Sequence, residues 1–281
     1  MKDLSGKTVV VTGGSSGIGL ATAKAFAARG ANVAVIARDE TRLASAKKAI
    51  AAGAKGGTVL GVSADVADRA AVFAAMDRVR NELGAPDVLV NCAGIFIPDD
   101  FEKMDEKIFR DHMDIDVLGP IWATGAVLPK MIERGSGHIV NVASVAGFIG
   151  VHGYTAYSTA KFAVMGFSEA LRQEMKPLGI KVSVVCPPDV NTPGLAKEKS
   201  LRSPECDKVC GNIKAISPEK VAEDIVKAVE TGKYYVIIGA VSKLYFRLKG
   251  LVPELFFAVM DSDVASARKK RLAEAQSTAA S

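Results

Sequence analysis

Short runs of adjacent apolar and β-branched residues alternate along this chain with longer stretches whose apolar residues recur every three or four positions. The first rhythm belongs to strands buried on both faces, the second to helices with one apolar face. Strands are predicted over 7–11, 32–37, 58–62 and 87–91 (DVLVN), separated by helices over 17–30, 40–52 and 68–83. A helical stretch over 105–131 follows, with Gly119-Pro120 and Pro129 as expected disturbances. Next come a strand over 138–143 (HIVNVA), a helix over 154–176 stopped by Pro177, and a strand over 181–186 (KVSVVC). Residues 187–216 carry no clear period and read as one long loop. Ser217-Pro218-Glu219 then opens a helix, with serine as cap, proline in the first turn and an acid at the positive dipole end. A seventh strand is expected over 234–238.

Strands alternating with helices of ten or more residues make βαβ units and an α/β fold. The economical assembly is a doubly wound, seven-stranded, mostly parallel sheet with helices on both faces. A ligand then binds beyond the carboxyl ends of the strands, where the strand order reverses. Residues 1–241 form the predicted catalytic unit, and 242–281 an extension that is amphipathic and then basic. The 187–216 loop is too long for a connector and follows a strand's carboxyl end, so it reads as a substrate lid rather than a disordered insertion.

Composition narrows the classes. Of 281 residues, 49% are hydrophobic and 24% charged, which excludes a wholly disordered chain. The net charge of +5 favours a polyanionic cofactor or an acidic membrane surface, but lysines and arginines are scattered among acids, so no nucleic-acid partner is expected. The compact basic cluster, RKKR at 268–271, reads as a solvated tail or as a membrane-surface or partner contact. Four cysteines without a CxxC pair, and three histidines, argue against a structural metal. Cys92 and Cys186 read as small core residues, and Cys206 and Cys210 as residues of a polar loop. Residues 1–6 lack the apolar stretch of a secretory leader, and no run of about eighteen uncharged apolar residues occurs. A cytoplasmic protein is expected, with membrane periphery as an open addition.

Two patterns carry chemistry. TGGSSGIG at 12–19 lies between the first strand and the first helix. Gly13, Gly17 and Gly19 allow a sharp turn, and with Ser15, Ser16 and Ile18 present main-chain N–H groups to a pyrophosphate at the helix's positive end. An NAD site usually has an acid at the end of the second strand; here Ala37 is followed by Arg38, whose guanidinium suits a ribose 2′-phosphate. NADPH is therefore the expected cofactor. Asp65 and Val66 are placed at the adenine, and NCAG, with Asn91, Ala93 and Gly94, at the same pocket's wall.

The second pattern is Ser144 followed by YSTAK at 157–161. Tyr157 and Lys161 share a helix face. A phenol is a weak acid–base group at neutral pH, and a nearby ammonium is expected to lower its pKa. Tyr157 then exchanges a proton with the oxygen of a carbonyl or alcohol, while Ser144 holds that oxygen in line.

In this order these motifs resemble the short-chain dehydrogenase/reductase family over roughly residues 5–240. The resemblance implies a Rossmann-type fold, catalytic roles for Ser144, Tyr157 and Lys161, and Lys161 on the nicotinamide ribose. Within the family, PPDVNTPG at 187–194, NCAG and the MDSDVASARKKR segment are similar to 3-ketodihydrosphingosine (3-dehydrosphinganine) reductases. That likeness places Pro187 and Thr192 at the nicotinamide and implies a small hydrophobic or lipid-like 3-ketone as substrate. It also implies a homodimer or homotetramer. One departure stands out: where the family usually has an asparagine supporting the lysine, this chain has Asp116. A carboxylate keeps an acceptor, loses the amide donor and brings charge. Reduction of a 3-oxoacyl thioester or another ketone, and a low-turnover NADPH-binding scaffold or sensor, remain alternatives. The segment 243–260, apolar but punctuated by Lys243, Arg247, Lys249, Gly250 and Pro253, either lies at a membrane interface or packs on the core, the substrate cleft or a second subunit.

Overall fold

The structure, a computed structural model, describes residues 1–211 and 214–279. Residues 212–213 of the expected lid and 280–281 of the extension lie outside the described residues. Seven strands form one all-parallel sheet in the order β3-β2-β1-β4-β5-β6-β7. They are β1 Thr8–Thr12, β2 Asn32–Ala37, β3 Val59–Ser63, β4 Val88–Asn91, β5 Gly137–Val142, β6 Ile180–Cys186 and β7 Tyr235–Ile237. The chain winds outward from β1 through β2 to β3, then returns to place β4 on the other side of β1. The crevice at this reversal lies beyond the ends of β1 and β4.

The strands alternate their side chains between two helical layers. Val9 and Val11 of β1 enter the layer of α1 Gly17–Ala27, α2 Glu40–Ala51 and α9 Pro218–Thr231, packing with Phe26, Ile50 and Ile225. Val10 faces the opposite layer, where α3 Arg69–Leu83, α5 Gly119–Arg134 and α6 Thr155–Met175 contribute Met76, Val127, Met131 and Leu171. Burial on both faces explains why the strands read as unbroken apolar runs.

Three expectations need correction. The 105–131 stretch is not disturbed at Gly119-Pro120: α4 Glu106–His112, a π-helical turn Met113–Leu118 and α5 run as one helix. Pro120, just past the π turn, and Pro129 both lie inside this run. By length and composition this run could cross a bilayer, but Ala123, Val127 and Met131 are buried in the sheet's flank. The loop after β6 instead contains α7 Pro193–Lys199 and α8 Pro204–Cys210. Thr192 and Ser203 cap them, each followed by a proline at the first helical position. Cys206 and Cys210 consequently lie on a helix rather than in a polar loop, with Cys206 buried and the two sulfurs 3.9 Å apart.

The extension is also helical. Gly250 lies inside α10 Ala240–Leu251, and Pro253 starts α11 Pro253–Ala279. The 268–271 cluster is thus helical, and Arg271 reaches the buried Glu205 of α8 at 3.0 Å. Lys249 ties α10 to the body by donating to the Phe148 carbonyl at 2.5 Å.

Candidate active site

A cavity of about 670 Å³ opens along the carboxyl ends of the strands. One half is built by the glycine turn. Gly13 has φ of +68°, and a Cβ there would stand 2.7 Å from the Ala93 Cα. A Cβ at Gly19 would collide with the Gly13 carbonyl oxygen. The turn therefore packs against NCAG only as glycine, and the Thr12 hydroxyl fixes that contact by accepting from the Cys92 and Ala93 N–H groups at 3.1 and 3.2 Å. Helix α1 has no acid in its first turn, so its positive end is uncompensated toward the cavity. Gly13, Ser15, Ser16, Gly17, Ile18, Gly19, Arg38, Asp65, Val66, Ala93, Gly94, Pro187 and Thr192 all line this cavity. Asn91 does not. Its side-chain amide is spent inside the fold on Asn141 at 2.8 Å and Thr124 at 3.3 Å, so it ties β4 to β5 and α5 instead of forming the pocket wall.

Arg38 is well exposed and pairs with Asp65 at 3.5 Å. An exposed pair of this kind is weak and easily exchanged for a stronger anion. Arg42, overlooked in the sequence, also lines this end and pairs with Asp39 at 3.5 Å.

The chemical groups meet where the halves join. Ser144 follows β5 and accepts from the Ala146 N–H at 3.1 Å, fixing its rotamer. Tyr157 and Lys161 lie one turn apart on α6, with the ammonium 5.5 Å from the ring centre. Phe96, His112 and Tyr154 pack around the tyrosine ring. Lys161 donates to Asp116 at 3.1 Å and to the Val142 carbonyl at 3.4 Å. Asp116 is wholly buried; the π turn carries it there, and the same oxygen accepts from the Ile95 N–H at 3.2 Å. Its other oxygen has no hydrogen-bond partner among the described residues. A Cβ at Gly94 would strike this carboxylate, which explains that glycine.

Electrostatics follow from burial. Desolvation raises the Tyr157 pKa above the ordinary phenol value; Lys161 and a hydrogen bond from Ser144 oppose this, and Asp116 and Asp189 reinforce it. The expected net lowering by Lys161 is therefore overturned: burial favours the protonated phenol, which is the acid form a reduction needs. Burial alone would lower the Lys161 pKa, but Asp116 and Tyr157 outweigh it and hold it raised. Asp116 is itself raised by burial, against the pull of Lys161 and His112. Burial pushes the thiols of Cys92 and Cys186 up to about 12, which makes them inert rather than nucleophilic.

The other half of the cavity is walled by the lid helices and by the extension. Leu195 comes from α7, Val209 and Cys210 from α8, and Leu248, Leu255, Phe256 and Met260 from α10 and α11. Arg202, between α7 and α8, is buried; it bonds Glu198 through both carboxylate oxygens, Asp189 at 2.8 Å and the Tyr154 hydroxyl at 3.1 Å. Burial pulls its pKa down, but Glu198 and Asp189 outweigh that and hold it above the ordinary value. This cluster was missed in the sequence, because its members are separated by loops and become neighbours only when α7 and α8 form.

The short chain dehydrogenase family model matches residues 7–202. The chain belongs to that family. It is thus an oxidoreductase with the doubly wound fold expected from its alternating elements. Among curated relatives, the 3-dehydrosphinganine reductase of Danio rerio is 42% identical over 234 residues, 82% of this chain and 70% of the relative. A short chain dehydrogenase/reductase from Burkholderia phymatum in complex with NAD superposes with a TM-score of 0.81 at 26% identity, covering 91% of this chain and 96% of that one. The L-sorbose reductase of Gluconobacter frateurii, complexed with NADPH and L-sorbose, gives 0.75 at 28% identity, covering 85% and 97%. Family membership thus brings a nicotinamide dinucleotide without deciding its 2′ substituent.

Proposed function

We propose that this protein is an NADPH-dependent reductase of a lipid-like 3-ketone, similar in activity to the 3-dehydrosphinganine reductases, with Tyr157 as proton donor. The observation that carries the reading is one continuous cavity. Its glycine-turn half offers a helix end to a pyrophosphate, and its opposite half is lined mainly by apolar side chains of the lid and extension. The donor set fits the dinucleotide: glycines where a Cβ would collide, an uncompensated helix N-terminus, and Arg38 and Arg42 at the end for a 2′-phosphate. A bound nicotinamide supplies the hydride.

The chain's own residues do the rest. Ser144 and Tyr157 hold the ketone oxygen, and the protonated phenol hands it a proton as negative charge develops there. Lys161 stabilises the phenolate left behind, and Asp116 fixes the lysine in place. The unit 1–241 carries the chemistry, and the extension 242–281 roofs the substrate. A homodimer or homotetramer, a cytoplasmic location and a peripheral membrane contact complete the proposal. The alternatives are distinguished by substrate. NADPH oxidation is measured with long-chain 3-keto amino alcohols, 3-oxoacyl thioesters and steroid-like ketones. Turnover only with the thioesters would replace the reading, and tight NADPH binding without turnover would favour a scaffold.

A further inference from the structure

Beyond Tyr157 the cavity wall is apolar except for a few charged groups, and those have one sign. Asp189, Glu198 and Asp263 line the substrate half; among the described residues no lysine, arginine or histidine lines it with them. The nearby cation, Arg202, sits behind the wall and faces Glu198, Asp189 and, at 3.8 Å, Asp207. One guanidinium therefore answers several carboxylates. Glu198 already gives it a buried, two-oxygen partner, so Asp189 is not needed to satisfy Arg202. Asp263 lies on α11 with Lys208 at 3.8 Å. Asp189 stands three residues past the end of β6, its side chain is 28% exposed where that of Glu198 is buried, and Arg202 ties it to the Tyr154 hydroxyl, whose ring lies 5.7 Å from that of Tyr157.

The floor of the site shows the same bias. Lys161 would repel a cation near the reacting carbon, but the buried carboxylate of Asp116 stands 3.1 Å from it and offsets that charge. An asparagine there would not. An apolar channel, a lysine whose charge a buried carboxylate offsets and an acid in the channel wall together suit an amphiphile with a cationic nitrogen near its ketone.

We propose that Asp189 sets substrate choice by pairing with an ammonium group on the carbon beside the reacting carbonyl, held in place for that purpose by Arg202. Neutral 3-oxoacyl thioesters, which offer no such cation, are then poor substrates. The proposal rests on the ketone-reductase reading above and adds a specificity-determining residue to it.

The test uses the full chain and three matched water-soluble ketones: a 2-amino-3-ketone, its N-methyl amine, which keeps the charge, and its N-acetyl amide, which does not. The wild type is expected to favour both charged ketones over the amide by roughly 10- to 100-fold in kcat/KM. Asp189→Asn should collapse that ratio to within a few-fold of unity, chiefly through KM. A ratio unchanged in the variant, or an equal loss on all three ketones, overturns the role of Asp189 and assigns it to the lid's structure. If Asp189→Asn fails to fold, the wild-type ratio of N-methyl amine to amide decides alone, and a value near unity overturns the proposal. A wild type that reduces none of the ketones while binding NADPH instead sinks the ketone-reductase reading.

Discussion

Asp116 shows how one side chain can retune its neighbours. Its carboxylate raises the pKa of both Tyr157 and Lys161. Replacing it with asparagine removes that field and restores an amide. Reduction requires the protonated phenol, so activity is lost as pH rises through the Tyr157 pKa. Asp116→Asn lowers that pKa, and the alkaline fall in kcat should therefore move to lower pH while turnover near neutrality is kept or rises. Steady-state profiles of wild type and variant check this, and an alkaline limb that stays put or moves upward would assign the carboxylate a different role. Tyr157→Phe keeps the ring packed between Phe96, His112 and Tyr154 but removes the proton. Turnover should fall by about two orders of magnitude or more with NADPH affinity largely retained; normal turnover would show the proton coming from elsewhere. At the cofactor end, Arg38→Asp should weaken NADPH by roughly 10- to 100-fold and NADH far less. Equal wild-type affinity for both dinucleotides, measured by titration, would remove the basis for NADPH.

At the scale of elements, the parallel sheet was legible because both faces of each strand are buried, which leaves unbroken runs such as DVLVN and KVSVVC. The glycine turn and YSTAK were legible for a related reason: their chemistry lies between residues close in sequence. What escaped depends on contacts distant in the chain. Thr192-Pro193 and Ser203-Pro204 carry helix-start signals, but α7 and α8 are only seven residues long, too short to show a period. Asn91 stands inside a cofactor-wall motif, yet its destination was set by Asn141 and Thr124 on other elements. The docking of α11 on α8 was equally invisible, because Glu205 and Arg271 are far apart in sequence. That docking is testable. Glu205 is buried, so Arg271→Ala leaves a carboxylate without its cation and should cost about 1–3 kcal/mol of stability. Urea denaturation gives the cost, and limited proteolysis should show faster cleavage between residues 240 and 279. Unchanged cleavage would mean that apolar packing alone seats the helix.

At the scale of the whole molecule, the cavity lining runs into a cluster of exposed apolar side chains on α10 and α11. Leu248, Val252, Leu255 and Val259 line the chamber and also face solvent, Leu255 to 64%. Leu244 at 52% and Leu251 at 78% continue the patch outward along α10 without lining the chamber. Lys243 and Arg247 belong to the same helix, giving the mixture of apolar and cationic groups that settles at an anionic lipid interface. A mouth seated there would take a lipid ketone directly from the bilayer, without carrying it through water. Because Leu244 and Leu251 are exposed, replacing both with glutamate removes the insertion surface and adds like charge toward the headgroups with little expected effect on the fold. The wild type should float with anionic vesicles at low salt, and Leu244→Glu with Leu251→Glu should remain in the soluble fraction. The variant should also keep its turnover of a short, water-soluble ketone while losing turnover of a vesicle-bound long-chain one. If wild type and variant partition alike, the patch serves a contact between subunits instead, and the oligomeric state of the two proteins by light scattering should then differ.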